Sequence, residues 1–150
     1  MDKFKEIRPT VLNLAIKDHK LLVGKCFDES KNKYFYRCLD GGIEFLEKSS
    51  DALKREFLEE IHADIIIKDF LGISENIFTY KGKNAHELVL IYRIDIPDEY
   101  YKEEYHIVGN KADYMARWID IDDFKNKSKI LYPEDIFLKY PQNTKQWKSC

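Results

Sequence analysis

Apolar and polar positions alternate over most of the chain in short runs, a pattern typical of β-strands. The runs TVLNLAI (10–16) and LLVGKCF (21–27) are separated by the polar KDHK and predict a hairpin. The run YFYRC (34–38) follows the polar DESKNK and predicts a third strand. Three later runs have the same character and predict strands over 63–73, 87–96 and 114–121.

One segment changes to a helical period. Between Ser50 and about Ala63, apolar residues recur every fourth position, at Leu53, Phe57 and Ile61. This spacing predicts an amphipathic helix, with Ser49 or Ser50 as the expected cap of its first turn. A short second helix is predicted after Pro133, in EDIFLKY. Strands and helices do not alternate regularly, so the pattern favours a mixed-sheet α/β or α+β fold over a doubly wound parallel sheet.

Two segments lack a strong structural pattern. Residues 97–113 are polar and rich in tyrosine, and they predict a long loop that is a candidate for a functional role. The tail, about 141–150, has little to bury besides Trp147. With no linker, repeat or low-complexity block before this tail, residues 1–150 are expected to form one domain.

Charge and cysteine content narrow the function. The chain has 25 basic and 27 acidic residues and a formal net charge of -2, which argues against a general nucleic-acid or anionic-membrane surface. The N-terminal residues show neither a signal peptide nor a membrane helix. Its three cysteines, Cys26, Cys38 and Cys150, show no metal-ligand spacing. A reduced, cytoplasmic protein is therefore expected.

Three carboxylates lie close together near the end of the predicted helix. Glu56, Glu59 and Glu60 share one face, where like charges at these spacings and the negative helix end both oppose folding. A bound cation would reverse both effects, and carboxylate oxygens suit Mg²⁺ or Mn²⁺. A solvated acidic helix face is the alternative, and pairing of Arg55 with Glu59 would neutralise part of it.

Paired glycines precede this helix. Gly41 and Gly42 follow a predicted strand, where they permit a close approach of the backbone to a metal or a phosphate. An ordinary turn is the alternative for an isolated Gly-Gly pair.

Taken together, residues 41–63 resemble the Nudix box, G-x5-E-x7-R-E-U-x-E-E-x-G-U, in which U is a bulky apolar residue. Gly41 opens the box, Glu47 follows after five residues, and Arg55 and Glu56 follow after seven more. Glu59 and Glu60 are the paired glutamates, and Ala63 ends the box. Looser similarity extends over most of residues 8–140.

This resemblance implies a Nudix fold, a mixed β-sheet sandwiched between α-helices. It also implies hydrolysis of a pyrophosphate bond in a nucleoside diphosphate linked to another moiety X, with Mg²⁺ or Mn²⁺ as cofactor. By the resemblance, Glu56, Glu59 and Glu60 bind metal, with the Gly41 carbonyl as a possible further ligand. Arg55 and Glu47 would pair and hold Glu56 in place.

The remaining assignments are less specific. Glu56 itself can serve as general base, and outside the box the order of preference is Glu87, Glu104, Glu103. The residues assigned to catalysis are therefore Glu56, Glu59, Arg55, Glu87 and Glu104. Arg37 is a candidate phosphate contact because its planar fork suits phosphate oxygens. Gly42 and Glu44, in the box loop, are assigned with it to substrate binding.

Three glycines common in the family are replaced here, by Asp40, Leu46 and His62. At His62 this predicts a slightly altered helix exit rather than lost activity. The replacements also leave open a second function, a catalytically weak or lapsed domain that binds a nucleotide or a protein. For the enzyme, the expected substrates are a nucleoside triphosphate, a nucleotide sugar or a small dinucleotide. A homodimer is possible, and no membrane contact is expected.

Overall fold

The computed structural model describes residues 6–108, 113–133 and 136. Within them the strands are β1 Ile7–Lys17, β2 Lys20–Asp28, β3 Lys33–Cys38, β4 Asp40–Gly42, β5 Ile66–Tyr80, β6 Lys83–Asp95, β7 Glu104–Val108, β8 Asp113–Asp120 and β9 Leu131–Tyr132. The helices are α1 Ser49–Ile61, α2 Ile121–Lys125 and a 3₁₀ turn, Asp98–Tyr100. The predicted helix EDIFLKY falls outside the described residues except for Ile136, as does the tail 141–150 with Cys150.

The strands form one mixed sheet. Its main order is β5-β6-β1-β2-β3-β9, while β4 pairs with β1, and β8 pairs with β2 and β7. β1 and β6 are parallel, as are β3 and β9, and the other pairs are antiparallel. The predicted mixed-sheet fold with helices is therefore confirmed.

The β5–β6 hairpin differs from its prediction. The predicted strand 63–73 begins at Ile66 and continues to Tyr80, and β6 begins at Lys83 rather than Glu87. The polar residues between the two predicted strands are not a loop, because most of them pair across the hairpin. The turn is only Lys81–Gly82, and both residues have positive φ. Glu87 therefore lies inside a strand, not directly after a loop.

The predicted loop 97–113 also contains regular structure. It holds the 3₁₀ turn and β7, which pairs with β8. Glu104 is thus the first residue of a strand, and the next residue, Tyr105, is buried. The tyrosine belongs to the core, which is why a polar-looking segment becomes a strand.

Buried apolar residues lie on both sides of the sheet. On one side, Leu53, Phe57 and Ile61 of α1 pack with Val11 and Ile94, which confirms the predicted apolar stripe of the helix. On the other side, Leu12, Val89 and Ile91 pack with Ile121 and Phe124 of α2 and with Ile136. None of the helices in the described part of the chain is long and apolar enough to cross a membrane.

The first turn of α1 has no side-chain cap. Its N-cap is Lys48, so the expectation that Ser49 or Ser50 would cap the helix is wrong. The Ser49 hydroxyl instead lies 2.6 Å from the Tyr92 hydroxyl of β6. This bond fixes the start of the helix to the sheet rather than satisfying its own backbone.

Candidate functional site

The glycine loop is fixed by β1. Asn13 is fully buried, and its backbone and side-chain amides both donate to the Leu39 carbonyl, just before β4. β4 then pairs with β1, with Gly41 opposite Val11 and Gly42 opposite Thr10. The loop after Gly42 leads directly into α1. Gly41 and the box glutamates are therefore held on rigid elements.

Glu56 packs directly over Gly41. A Cβ added at residue 41 would lie 2.3 Å from the Glu56 carboxyl carbon, far closer than real Cβ atoms come to another atom. The glycine is required here by this contact, since Gly41 is not among the residues with positive φ. At Gly42 the nearest side-chain atom, Arg8 Nη2, would be 3.8 Å away. Only the first glycine is thus dictated by a close approach.

Arg55 connects the loop to the helix. Its Nε and Nη2 donate to the two Glu47 oxygens at 2.8 and 3.0 Å, and its Nη1 donates to Glu56 at 2.9 Å. Nη2 also donates to the Gly42 carbonyl at 3.0 Å. Glu59 is 3.6 Å from Nη1, so the predicted pairing of these two residues also exists. Charge-assisted bonds of this kind are about twice as strong as neutral ones, and they hold Glu56 in one orientation.

Glu56 and Glu60, on α1, lie close enough to shift each other's pKa. Burial, and then the charge of Glu56, raise the pKa of Glu60 from its ordinary value of 4.5 to about 8. The pKa of Glu56 is also raised, mainly by burial. Two partly buried carboxyl groups in contact cannot both carry charge without a proton or a cation nearby. This pair is the strongest electrostatic feature of the site.

A second charged cluster lies beside the loop. Arg37 Nη2 donates to Asp40 at 2.8 Å and is 3.7 Å from Glu87. Glu87 is only 7% exposed, and one of its oxygens, Oε2, has no hydrogen-bond partner among the described residues. Burial is the main reason why the pKa of Glu87 is raised. The structure thus links Glu87 through Arg37 to the residue before Gly41.

The remaining predicted residues lie at the margin of the candidate site. Glu44 and Glu59 are exposed, and Glu44 lies 4.0 Å from Arg55 Nη2. Glu104 is half exposed on β7, 3.5 Å from Arg117 Nε, and the exposed Glu103 precedes it. The structure therefore brings Gly41, Gly42, Glu47, Arg55, Glu56 and Glu60 together, with Arg37 and Glu87 alongside, but it does not bring Glu104 into contact with them.

Two residues near the site were missed from the sequence. Arg8, at the start of β1, is exposed next to Gly42, and its positive charge counteracts the rise that burial causes in the pKa of Glu87, its neighbour on β6. Tyr114 on β8 packs against Gly24, where a Cβ would come within 2.5 Å of its ring. Burial, and then the charges of Glu60 and Asp40, raise the pKa of Tyr114. Neither residue belongs to a local motif, and only the strand pairing brings them to the loop.

The donor set fits a hard divalent cation. Glu56 and Glu60 are adjacent carboxyl groups whose mutual repulsion a cation would relieve, and Glu59 lies next to them on α1. Among the described residues, a different group has its ligand atoms within 4.8 Å of one another, namely His19, Asp120 and Asp122. Asp120 caps α2, and Asp122 lies 3.0 Å from the His19 ring, so this group has a structural role. The box glutamates are not in that group, and Arg55 Nη1 lies 2.9 Å from Glu56 and 3.6 Å from Glu59.

Two of the replaced glycines keep the backbone of glycine. Leu46 has φ 69° and His62 has φ 56°, both in the left-handed region. His62 donates its amide to the Leu58 carbonyl, and Ala63 donates to Phe57, as in a glycine C-cap. The expectation of an altered helix exit at His62 is therefore wrong, and the box backbone is retained.

Comparison with known proteins supports this architecture. The sequence matches no family model and no curated protein. Solved structures are similar: a NUDIX hydrolase from Nitrosomonas europaea has a TM-score of 0.59 at 20% identity, covering 82% of this chain and 78% of that one. A NUDIX-family hydrolase from Clostridium perfringens has a TM-score of 0.57 at 16% identity, covering 89% and 93%. A UDP-X diphosphatase has a TM-score of 0.56 at 15% identity, covering 87% and 57%. The chain therefore has the Nudix fold.

Proposed function

We propose that this protein is a Mg²⁺- or Mn²⁺-dependent hydrolase that cleaves a pyrophosphate bond in a nucleoside diphosphate linked to X. The observation that carries the proposal is the Glu56 carboxyl group, which packs on Gly41 and is oriented by Arg55, with Glu60 near enough that the charge of Glu56 raises its pKa. Such a pair is unfavourable in a protein that binds no cation. Like-charge pairs of this kind are typical of catalytic and metal sites.

Glu56, Glu59 and Glu60 would hold the metal, with the Gly41 carbonyl as a further ligand. When bound, the cation neutralises charge that develops on the phosphate oxygens and lowers the pKa of a coordinated water. Arg55 and Glu47 act by positioning, since they fix the Glu56 carboxylate and the Gly42 carbonyl. Glu60, whose pKa is raised by burial and by Glu56, would have to be ionised to serve as a ligand.

The substrate phosphates would contact arginine side chains of β1 and β3 that lie beside the loop. Arg8 is the best placed, because it is exposed and its guanidinium lies beside Gly42. Arg37 is already paired with Asp40, so it would reach a phosphate only as part of that pair. Gly42 and Glu44 line the same approach and remain candidates for substrate contact.

The general base is proposed to be Glu87, with Glu104 second. Burial disfavours the charge of Glu87 and raises its pKa, which makes it a stronger proton acceptor than an exposed carboxylate. Arg37 connects Glu87 to the box loop, because its Nη2 lies 3.7 Å from Glu87 and 2.8 Å from Asp40. Glu104 is more exposed and lies 3.5 Å from Arg117 Nε.

The substrate class is proposed to be a small soluble nucleotide: a nucleoside triphosphate, a nucleotide sugar or a dinucleotide. One structure of the same fold is a UDP-X diphosphatase, which supports placing nucleotide sugars in the first test. The net charge of -2 gives no support to a long nucleic-acid substrate.

Retention of the left-handed backbone at Leu46 and His62 favours an enzyme over a lapsed binding domain. The lapsed alternative was motivated by the loss of three glycines, and two of the replacements, Leu46 and His62, adopt the left-handed conformation that glycine would supply. Arg55 also forms the hydrogen bonds to Glu47 and Glu56 that the resemblance implies. These observations remove the main structural reason to expect inactivity.

A reducing, cytoplasmic location is also proposed. Cys26 and Cys38 are both free thiols, and Cys38 is fully buried. Burial raises the pKa of both thiols, so neither is a ready nucleophile.

The test is a substrate panel. Purified protein would be incubated with nucleoside triphosphates, nucleotide sugars, ADP-ribose and dinucleoside polyphosphates, with Mg²⁺, Mn²⁺ or EDTA. Released phosphate, pyrophosphate and nucleoside monophosphate would be measured. Metal-dependent turnover is expected, and it should fall at least about 100-fold in Glu59→Gln. Glu29→Gln, in the exposed β2–β3 turn, is the matched control and should retain full activity.

A further inference from the structure

At one end of the sheet formed by β5, β6 and β1, polar side chains are buried and apolar side chains are exposed. On the side that carries α2, the polar residues Thr10, Ser74 and Glu87 are buried. On the opposite side, the apolar residues Ile7, Ile73, Ile77 and Leu88 are exposed. Strands normally turn apolar side chains inward and polar side chains outward. An exposed apolar side over a buried polar one indicates that something covers it.

Strand register makes these exposed residues neighbours. Ile77 lies opposite His86, which lies opposite Ile7. In the next row Glu75 lies opposite Leu88, which lies opposite Pro9, and Ile73 lies opposite Leu90. We call the residues Ile7, Pro9, Ile73, Ile77 and Leu88 the apolar face. Its one charged pair, Glu75 with His86 at 3.0 Å, is satisfied internally.

The loop before α1 borders this face. It leaves β4 where Ile43 donates to the Pro9 carbonyl, and it returns to the sheet where Ser49 bonds Tyr92. Pro9 and Tyr92 are on the side of the sheet that carries the apolar face, so the loop crosses that side. At its tip Phe45 is 93% exposed and Leu46 is 90% exposed. Two adjacent, nearly free apolar side chains thus project beside the exposed sheet.

We propose that the apolar face and the Phe45–Leu46 tip form the interface between two copies of this chain. A projecting tip beside a flat face is self-complementary about a two-fold axis, because the tip of each copy packs on the face of the other. The exposed area of the seven side chains is on the order of 800 Å², which is what each partner of a standard interface buries.

The alternative of strand-edge pairing fits less well. β5 is the sheet edge, but register shifts interrupt it between Ile67 and Asp69 and between Phe70 and Gly72. Bulges of this kind oppose continuous edge-to-edge pairing. The observations therefore favour packing on the face by a second molecule.

The interface would adjoin the candidate site. Phe45 and Leu46 lie between Glu44 and Glu47, and Glu47 is the partner of Arg55. Packing of the tip against a second copy would restrict this loop. The proposal does not depend on the reaction that the site performs.

Sedimentation velocity over about 1–100 µM tests it directly. The wild type should sediment as a species of twice the 17.9 kDa chain mass at the upper concentrations. Ile77→Glu, at a position 72% exposed, should weaken self-association at least about 100-fold. Phe45→Ser should weaken it at least about tenfold, and as a change at a nearly free loop side chain it does not threaten folding.

Tyr34→Ser is the matched control. Tyr34 is exposed on β3, outside the apolar face, so its loss should leave the dimer intact. Circular dichroism and melting temperature would verify that each variant is folded. The proposal is overturned by a monomeric wild type at 100 µM. It is also overturned if the dimer persists in folded Ile77→Glu or Phe45→Ser, or if Tyr34→Ser dissociates as they do.

Discussion

The Glu56 carboxyl group occupies the space that a side chain at Gly41 would need. A Cβ at residue 41 would come within 2.3 Å of the Glu56 Cδ and Cγ atoms. The first box glycine, which has no side chain of its own, therefore leaves room for Glu56, the first of the proposed metal ligands.

Gly41→Ala is expected to lower kcat/KM at least about 100-fold, because Glu56 must move by an ångström or more and catalysis is that sensitive to placement. Gly42→Ala is the matched control, with its nearest neighbour at 3.8 Å, and it should remain within about threefold of wild type. Steady-state kinetics on both variants checks this. Equal losses at the two positions would show that the Glu56 contact is not what matters.

Arg55→Lys should lower kcat by about 100-fold while the protein stays folded. A lysine keeps the charge but cannot donate simultaneously to Glu47, Glu56 and the Gly42 carbonyl. Glu47→Gln should produce a smaller loss, and the double variant should be little worse than Arg55→Lys alone because both changes break one network. A fully additive double variant would argue against that network.

Metal-free protein should lose stability as pH rises from about 5 to about 8. The folded protein keeps the Glu60 proton up to a pKa of about 8, whereas the unfolded chain releases it near 4.5. In this window the unfolded state binds fewer protons, so rising pH favours unfolding. Thermal melts in EDTA should show a fall of at least about 3 °C. Glu60→Gln should flatten the trend, and saturating Mg²⁺ should oppose it by favouring the ionised pair.

Arg8→Ala should raise KM about tenfold and change kcat little, since Arg8 is proposed to bind the substrate phosphates rather than to act on the reacting atoms. Lys125→Ala, an exposed cation on α2, is the control and should change neither constant. An unchanged KM in Arg8→Ala would remove Arg8 from the substrate site.

The local parts of this molecule could be predicted from the sequence because periodicity encodes them. The α1 stripe of Leu53, Phe57 and Ile61 was predictable, and so were most strands. The box residues were predictable because Gly41, Glu47, Arg55 and the glutamates keep fixed spacings.

The features that the sequence did not predict depend on tertiary contacts. The polar-looking residues of the β5–β6 hairpin become strand because they pair with each other, and β7 forms because Tyr105 and Ile107 are buried against the core. Arg8 and Tyr114 reach the site only through strand pairing. The left-handed backbone at His62 was not predictable from a residue type that rarely adopts it, since the capping bonds of the helix end impose it.

Hydrolysis in ¹⁸O-labelled water, followed by ³¹P NMR and mass spectrometry of the products, tests the central claim most directly. The protein would be supplied with a nucleoside triphosphate, a nucleotide sugar or a dinucleotide, with and without Mg²⁺. The account predicts cleavage of a pyrophosphate bond only when metal is present, with one ¹⁸O atom in a phosphate product and cleavage at least about 100-fold slower in folded Gly41→Ala. Absence of cleavage of every compound by folded wild type in saturating Mg²⁺ or Mn²⁺, or equal cleavage in EDTA, would contradict it.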